Sequence, residues 1–149
     1  MRLNILILCA VANQSSLKTV HDNLSYLVDL SSHNIKLLNM FGKTTIYPTL
    51  VEENGVFLAD YDVFIVHSTA CYFIRNLENI DFLWPQKIKD FNGLKVMLKQ
   101  DEHFGPNRTD NYLSRNYFDL VFTCLPSDAT ALVYPKSTAQ NIIFKRWLT

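Results

Sequence analysis

A chain of 149 residues that is 48% hydrophobic and 19% charged has the composition of one globular domain, not of a disordered or fibrous chain. Its 14 basic and 14 acidic side chains balance, so the basic excess of a typical nucleic-acid binder is missing and no nucleic-acid partner is expected. No apolar run approaches the ~20 residues of a membrane span, and Arg2 before the short run Leu3 to Ala10 does not make a signal peptide. Cys9, Cys71 and Cys124 are far apart and form no CxxC pair. They read as buried free thiols in a reducing compartment, which predicts a cytoplasmic protein.

Leu3 to Ala10 is almost continuously apolar, as a strand covered on both faces is. A polar turn from Val11 to Ser16 follows, where Ser15 or Ser16 can cap the next helix by accepting a backbone N–H. Leu17, Val20, Leu24, Leu27 and Val28 recur at helical spacing, which predicts an amphipathic helix ending near Ser32 to Asn34. Ile35 to Met40 reads as a second strand and Gly42 to Pro48 as loop. Between Leu50 and Asp60 the signals conflict, leaving a loop or a weak helix. Tyr61 to Val66 is a third strand, and Tyr72 to Ile80 carries a weak helical pattern. Trp84, Ile88 and Phe91, with Pro85 in the first turn and Gly93 beyond the end, predict a punctuated helix. A fourth strand starts at Leu94. Gly105-Pro106 opens a helix, Leu120 to Phe122 is a fifth strand, and Pro126-Ser127 open a helix that Pro135 stops. Asn141 to Phe144 is a short sixth strand.

Strands and helices alternate throughout. The expected fold is α/β: a Rossmann-like, doubly wound, mostly parallel sheet of five to six strands with helices on both faces, in one domain over residues 1–149. Polar groups follow four strands: Asn13 and Gln14 after the first, His67 after the third, Gln100 to His103 after the fourth and Thr123 after the fifth. In a parallel sheet these ends share the rim where ligands bind. A histidine beside a carboxylate there can act as general base on a hydroxyl, so His67, Asp101 and Glu102 are the catalytic candidates. Asn13, Gln14, Gln100, His103 and Thr123 are the substrate-binding candidates. The plainer alternative is a polar cluster that caps helices and fills turns. A His67–Cys71 nucleophile pair is weaker, because Cys71 precedes a run of aromatics and reads as a packed residue, and so is a metal site using His67, Cys71, Asp101, Glu102 and His103, because no ligand-pair spacing supports it. No metal is expected. With four glycines and no G-x-G-x-x-G or G-x-x-x-x-G-K-[ST] loop, no nucleotide cofactor is expected either.

Lys99-Gln-Asp-Glu-His103, Val121-Phe-Thr-Cys-Leu-Pro126, Val133-Tyr-Pro135 and the final Trp147-Leu-Thr149 together form a pattern. It resembles the N-terminal domain of a bacterial GT-B-type glycosyltransferase family related to the spore-maturation-type sugar transferases. Such domains similarly carry a "QDE" turn after one strand, a "TC.P" turn after the next and "VYP" before a last strand. The resemblance is clearest from Lys95 to Thr149, with Asp62 to His67 the main match before that. It implies an acceptor-side domain in a two-domain enzyme, with a C-terminal partner domain holding the nucleotide sugar and a glycan, lipid or protein as acceptor. Gln100, Asp101, Glu102 and Thr123 fall on the motif positions and His67 on the strand-end histidine. His103 stands where relatives often have an aromatic residue. A different class stays open: a flavodoxin-like module that uses Asn13 to Ser16 to hold a small ligand.

Overall fold

The computed structural model describes residues 1–11, 18–40, 56–72, 74, 77–78 and 87–147, excluding the side chains of 18–21. In chain order they form β1 (Asn4–Cys9), α1 (Lys18–Asp29), β2 (Asn34–Asn39), β3 (Val63–Val66), α2 (Ser68–Cys71), β4 (Leu94–Leu98), α3 (Pro106–Arg115), β5 (Leu120–Thr123), α4 (Ser127–Val133), α5 (Pro135–Ala139) and β6 (Ile143–Arg146). Single 3₁₀ turns stand at Leu58–Asp60 and Ile88–Asp90. The six strands form one sheet in the order β2-β1-β3-β4-β5-β6. Every pairing is parallel, so the predicted mostly parallel sheet is wholly parallel among the described residues. The order reverses between β1 and β3, which makes their carboxyl ends the switch point of a doubly wound fold.

Strand alternation divides the core into two unequal halves. On one face Leu6, Leu8, Phe64, Val66, Met97 and Val121 meet Tyr112 and Leu113 of α3, with Leu58, Leu77, Ile88 and Tyr134. On the other, Ile5, Ile7, Cys9, Val63 and Val96 meet Leu24 of α1. Helices therefore lie on both faces, as the near-continuous apolar strands require.

Several boundaries differ from the sequence reading, each for a local reason. Helix α1 ends at Asp29, and Leu27, assigned to the buried stripe, is 37% exposed. Trp84 to Gln86 lie outside the described residues, and Ile88–Asp90 is one 3₁₀ turn instead of the end of an α-helix. Gly93 serves a close approach: a Cβ there would lie 2.4 Å from the Asp62 carbonyl oxygen. Asn141, with φ 61, turns the chain before β6, which begins at Ile143, two residues later than expected.

Pro135 starts a helix instead of only stopping one, because the buried carboxylate of Asp110 in α3 caps α5. It accepts from the N–H of Lys136 (3.0 Å), the N–H of Ser137 (2.9 Å) and the Ser137 hydroxyl (2.7 Å). The cap comes from a distant helix, so nothing near Pro135 announces it. Asp110→Asn keeps one acceptor oxygen and loses the charge. It is expected to cost about 1–2 kcal/mol of stability, read as a shifted urea midpoint at unchanged slope.

Candidate functional site

The carboxyl ends of β3, β4 and β5 are adjacent, and their turns are tied into one surface. Lys99 closes β4 with its side chain fully buried, its ammonium donating to the carbonyls of Gln100 (2.7 Å) and Asp101 (3.0 Å). Those carbonyls converge because Asp101 has a left-handed backbone, φ 52, which a short polar side chain tolerates better than most. Glu102 then reaches across to the next strand. One of its carboxylate oxygens accepts from the Thr123 hydroxyl and from the Cys124 N–H (3.3 Å), and the other accepts from the hydroxyl of Tyr134. Tyr134 is fully buried between α4 and α5, and burial followed by the Glu102 bond raises its phenol pKa. Glu102 is thus a strut joining three segments, its lone pairs already engaged by donors. That arrangement suits holding the rim together better than taking a proton from substrate.

Asp101 is different. Its side chain is exposed and accepts from the hydroxyl of exposed Tyr72, whose own pKa that hydrogen bond pushes up to about 12. Beside this pair, Tyr72 and Phe104 meet edge to face at 5.4 Å, and His103 and Phe104 lie 4.4 Å apart. Phe104 is 50% exposed and Tyr72 40%. An aromatic shelf with a carboxylate and an imidazole at its edge therefore stands open on the rim. Gly105, at φ 57, starts α3 directly behind it.

His67 sits at the end of β3 and is buried, 2% exposed. Its Nδ1 accepts from the Thr69 N–H (3.3 Å) and lies 3.0 Å from the Thr69 hydroxyl oxygen, capping α2. The hydroxyl oxygen of Thr69 in turn accepts from the Ala10 N–H (3.0 Å), which links α2 to the end of β1. A lone pair on Nδ1 places the proton on Nε2, which is buried with no hydrogen-bond partner among the described residues. Burial lowers the His67 pKa to about 4. The residue is consequently a neutral hydrogen-bond donor at neutral pH, with its basic nitrogen already occupied. The Cys71 thiol, pushed up to about 12 by burial, donates to the carbonyl of Leu98 (3.4 Å) and is inert packing, not a nucleophile.

Of the residues expected at the site, Glu102 and Thr123 are in direct contact, and Gln100, Asp101 and His103 share the turn of Glu102 after β4. His67 lies one strand away without bonding to any of them among the described residues. Asn13 and Gln14 fall outside the described residues. Lys99, Tyr72 and Tyr134 were not picked out from the sequence. For Lys99 a signal existed, since strand alternation places it on the buried face of Met97. Tyr134 lies inside the Val133-Tyr-Pro135 motif, but its reach to Glu102 is purely tertiary. Cys9 and Cys71 are buried as expected, whereas Cys124 is exposed. Among the described residues no group of His, Cys, Asp or Glu is arranged to hold a metal ion, and no helix is long and apolar enough to cross a membrane.

Fold and site together define a wholly parallel, doubly wound α/β domain with a built carboxyl rim. No family model, curated protein or solved structure matches the chain.

Proposed function

We propose that this chain is the acceptor-side domain of a glycosyltransferase that moves a sugar from a nucleotide-sugar donor to an acceptor hydroxyl, with a separate donor-binding domain as its partner. The observation that carries this reading is the open shelf of Tyr72, His103 and Phe104 with Asp101 at its edge. A pyranose ring presents a C–H face that packs on aromatic rings, while its hydroxyls hydrogen-bond to a carboxylate and an imidazole. A saccharide acceptor suits such a shelf better than a lipid tail or a peptide. In this reading Asp101 orients or deprotonates the acceptor hydroxyl, His103 and Gln100 contact the sugar, and Glu102 with Thr123 holds the rim in shape. An exposed unpaired thiol at Cys124 fits a reducing, cytoplasmic setting.

The second reading, a small-ligand module at the β1–β3 reversal, is favoured by one observation, the Nε2 of His67, which has no partner among the described residues. Titrating the chain with chitotriose, cellotriose and maltotriose while following backbone amide resonances separates the two. The expected result is weak binding of at least one saccharide, with shifts centred on Tyr72, Asp101 and Phe104 and lost in Phe104→Ala. Shifts confined to His67, Thr69 and Ala10 would support the module instead.

A further inference from the structure

Lys99 occupies a fully buried position, where an apolar side chain of similar length would be far cheaper to desolvate than an ammonium. Its ammonium folds back over its own chain to the carbonyls of Gln100 (2.7 Å) and Asp101 (3.0 Å). The Asp101 carbonyl also accepts from the N–H of Phe104 (3.1 Å). One oxygen therefore ties the ammonium to the backbone of two shelf residues, Asp101 and Phe104. The base of this clamp is fixed, because the Lys99 N–H donates to the carbonyl of Phe122 in β5 (2.8 Å). The third side of the shelf is near as well. Burial raises the Cys71 thiol pKa and the Lys99 charge opposes that rise, so the ammonium lies close to the residue that Tyr72 follows.

We propose that Lys99 is the positioning residue of the shelf, holding the Asp101 carboxylate and the Phe104 ring in the open arrangement that a ligand meets. With its carbonyl drawn inward and its backbone left-handed at φ 52, Asp101 has its side chain directed out to Tyr72. A left-handed backbone is uncommon away from glycine and persists where its surroundings over-determine it. Here the charged donor does so, since hydrogen bonds from an ammonium are stronger than neutral ones. A methionine at this position fills much the same volume but donates nothing. The inward carbonyls then lose their donor and turn toward water, and Asp101 and Phe104 move with them. The consequence for binding rests on the saccharide reading, whereas the placing of the shelf does not.

Nuclear magnetic resonance of Lys99→Met tests this. Contacts between the Tyr72 and Phe104 rings, present in the parent, should be lost, while amides of β2 at the far edge of the sheet keep their parent shifts. Titration with chitotriose, cellotriose and maltotriose should show binding weakened by about 10-fold or more. In Lys99→Ala, added n-propylammonium replaces the missing atoms together with the charge and should restore both the ring contacts and binding. 1-Propanol, which refills the volume without the charge, should not. Lys99→Met that keeps the ring contacts and the parent affinity overturns the proposal, and so does equal restoration by the alcohol. Should Lys99→Met not fold, the contrast between amine and alcohol in Lys99→Ala decides alone. A parent that binds none of the three saccharides ends the carbohydrate reading, and the ring contacts then decide the role of Lys99.

Discussion

Lowering the pH from 7 to below 4 should remove up to about 3 kcal/mol of stability through His67 alone. Burial holds its folded-state pKa near 4, against about 6.5 for the exposed side chain. Between these values the unfolded chain binds a proton that the folded chain refuses, so falling pH favours unfolding across that window. Above about 6.5 the imidazole is neutral in both states and the contribution is flat. Urea unfolding at a series of pH values, compared with His67→Asn, isolates the effect. Asparagine can still accept the Thr69 N–H and cap α2 but cannot take up a proton. The variant's acid limb should therefore be shallower by roughly the same 3 kcal/mol. Superimposable acid limbs would show that the imidazole charges in place, and would return His67 to consideration as a base.

Replacing Glu102 by Ala should cost on the order of 3 kcal/mol, whereas Asp101→Ala should stay within about 0.5–1 kcal/mol. The two carboxylates are neighbours in sequence but not in environment. Removing Glu102 leaves the hydroxyls of the buried residues Thr123 and Tyr134 without their acceptor. Removing Asp101 frees an exposed tyrosine that water can satisfy. Saccharide binding should show the reverse ranking per folded molecule, because Asp101 edges the shelf and Glu102 lies behind it. Thermal or urea unfolding and a saccharide titration on the same two variants give both orderings. Equal destabilisation by the two substitutions would remove the distinction between strut and contact.

Much of the sheet was legible in the chain because parallel strands buried on both faces write themselves as short apolar runs, and Ile5 to Cys9, Val63 to Val66 and Val96 to Leu98 are such runs. The rim was legible for a related reason, since polar residues immediately after those runs have to emerge at its carboxyl edge. What could not be read is what each polar residue does once there. Asp101 and Glu102 have the same chemistry in sequence, and a left-handed backbone at Asp101 sends one outward and the other inward. The cap that Asp110 supplies to α5, and the tie from Tyr134 to Glu102, join residues more than twenty positions apart. Such contacts have no local signature. Gly93 misled for a similar reason: its smallness answers to the Asp62 carbonyl, not to the end of a helix.

The wholly parallel pairing also has a kinetic meaning. Among the described residues no two neighbouring strands can meet through a tight hairpin, so the sheet has no local nucleus from which to zip. Ile5 finds its partner Val63 only after the whole β2 excursion has been closed as a loop, and β3, β4, β5 and β6 each wait on a crossover of their own. Long-range pairing of this kind slows folding and prolongs the time that apolar strands spend uncovered. The edge strands carry their own protection during that interval. Exposed Lys36 on β2 and exposed Lys145 and Arg146 on β6 place positive charge along both borders, which discourages strangers from adding a strand before the native order is complete.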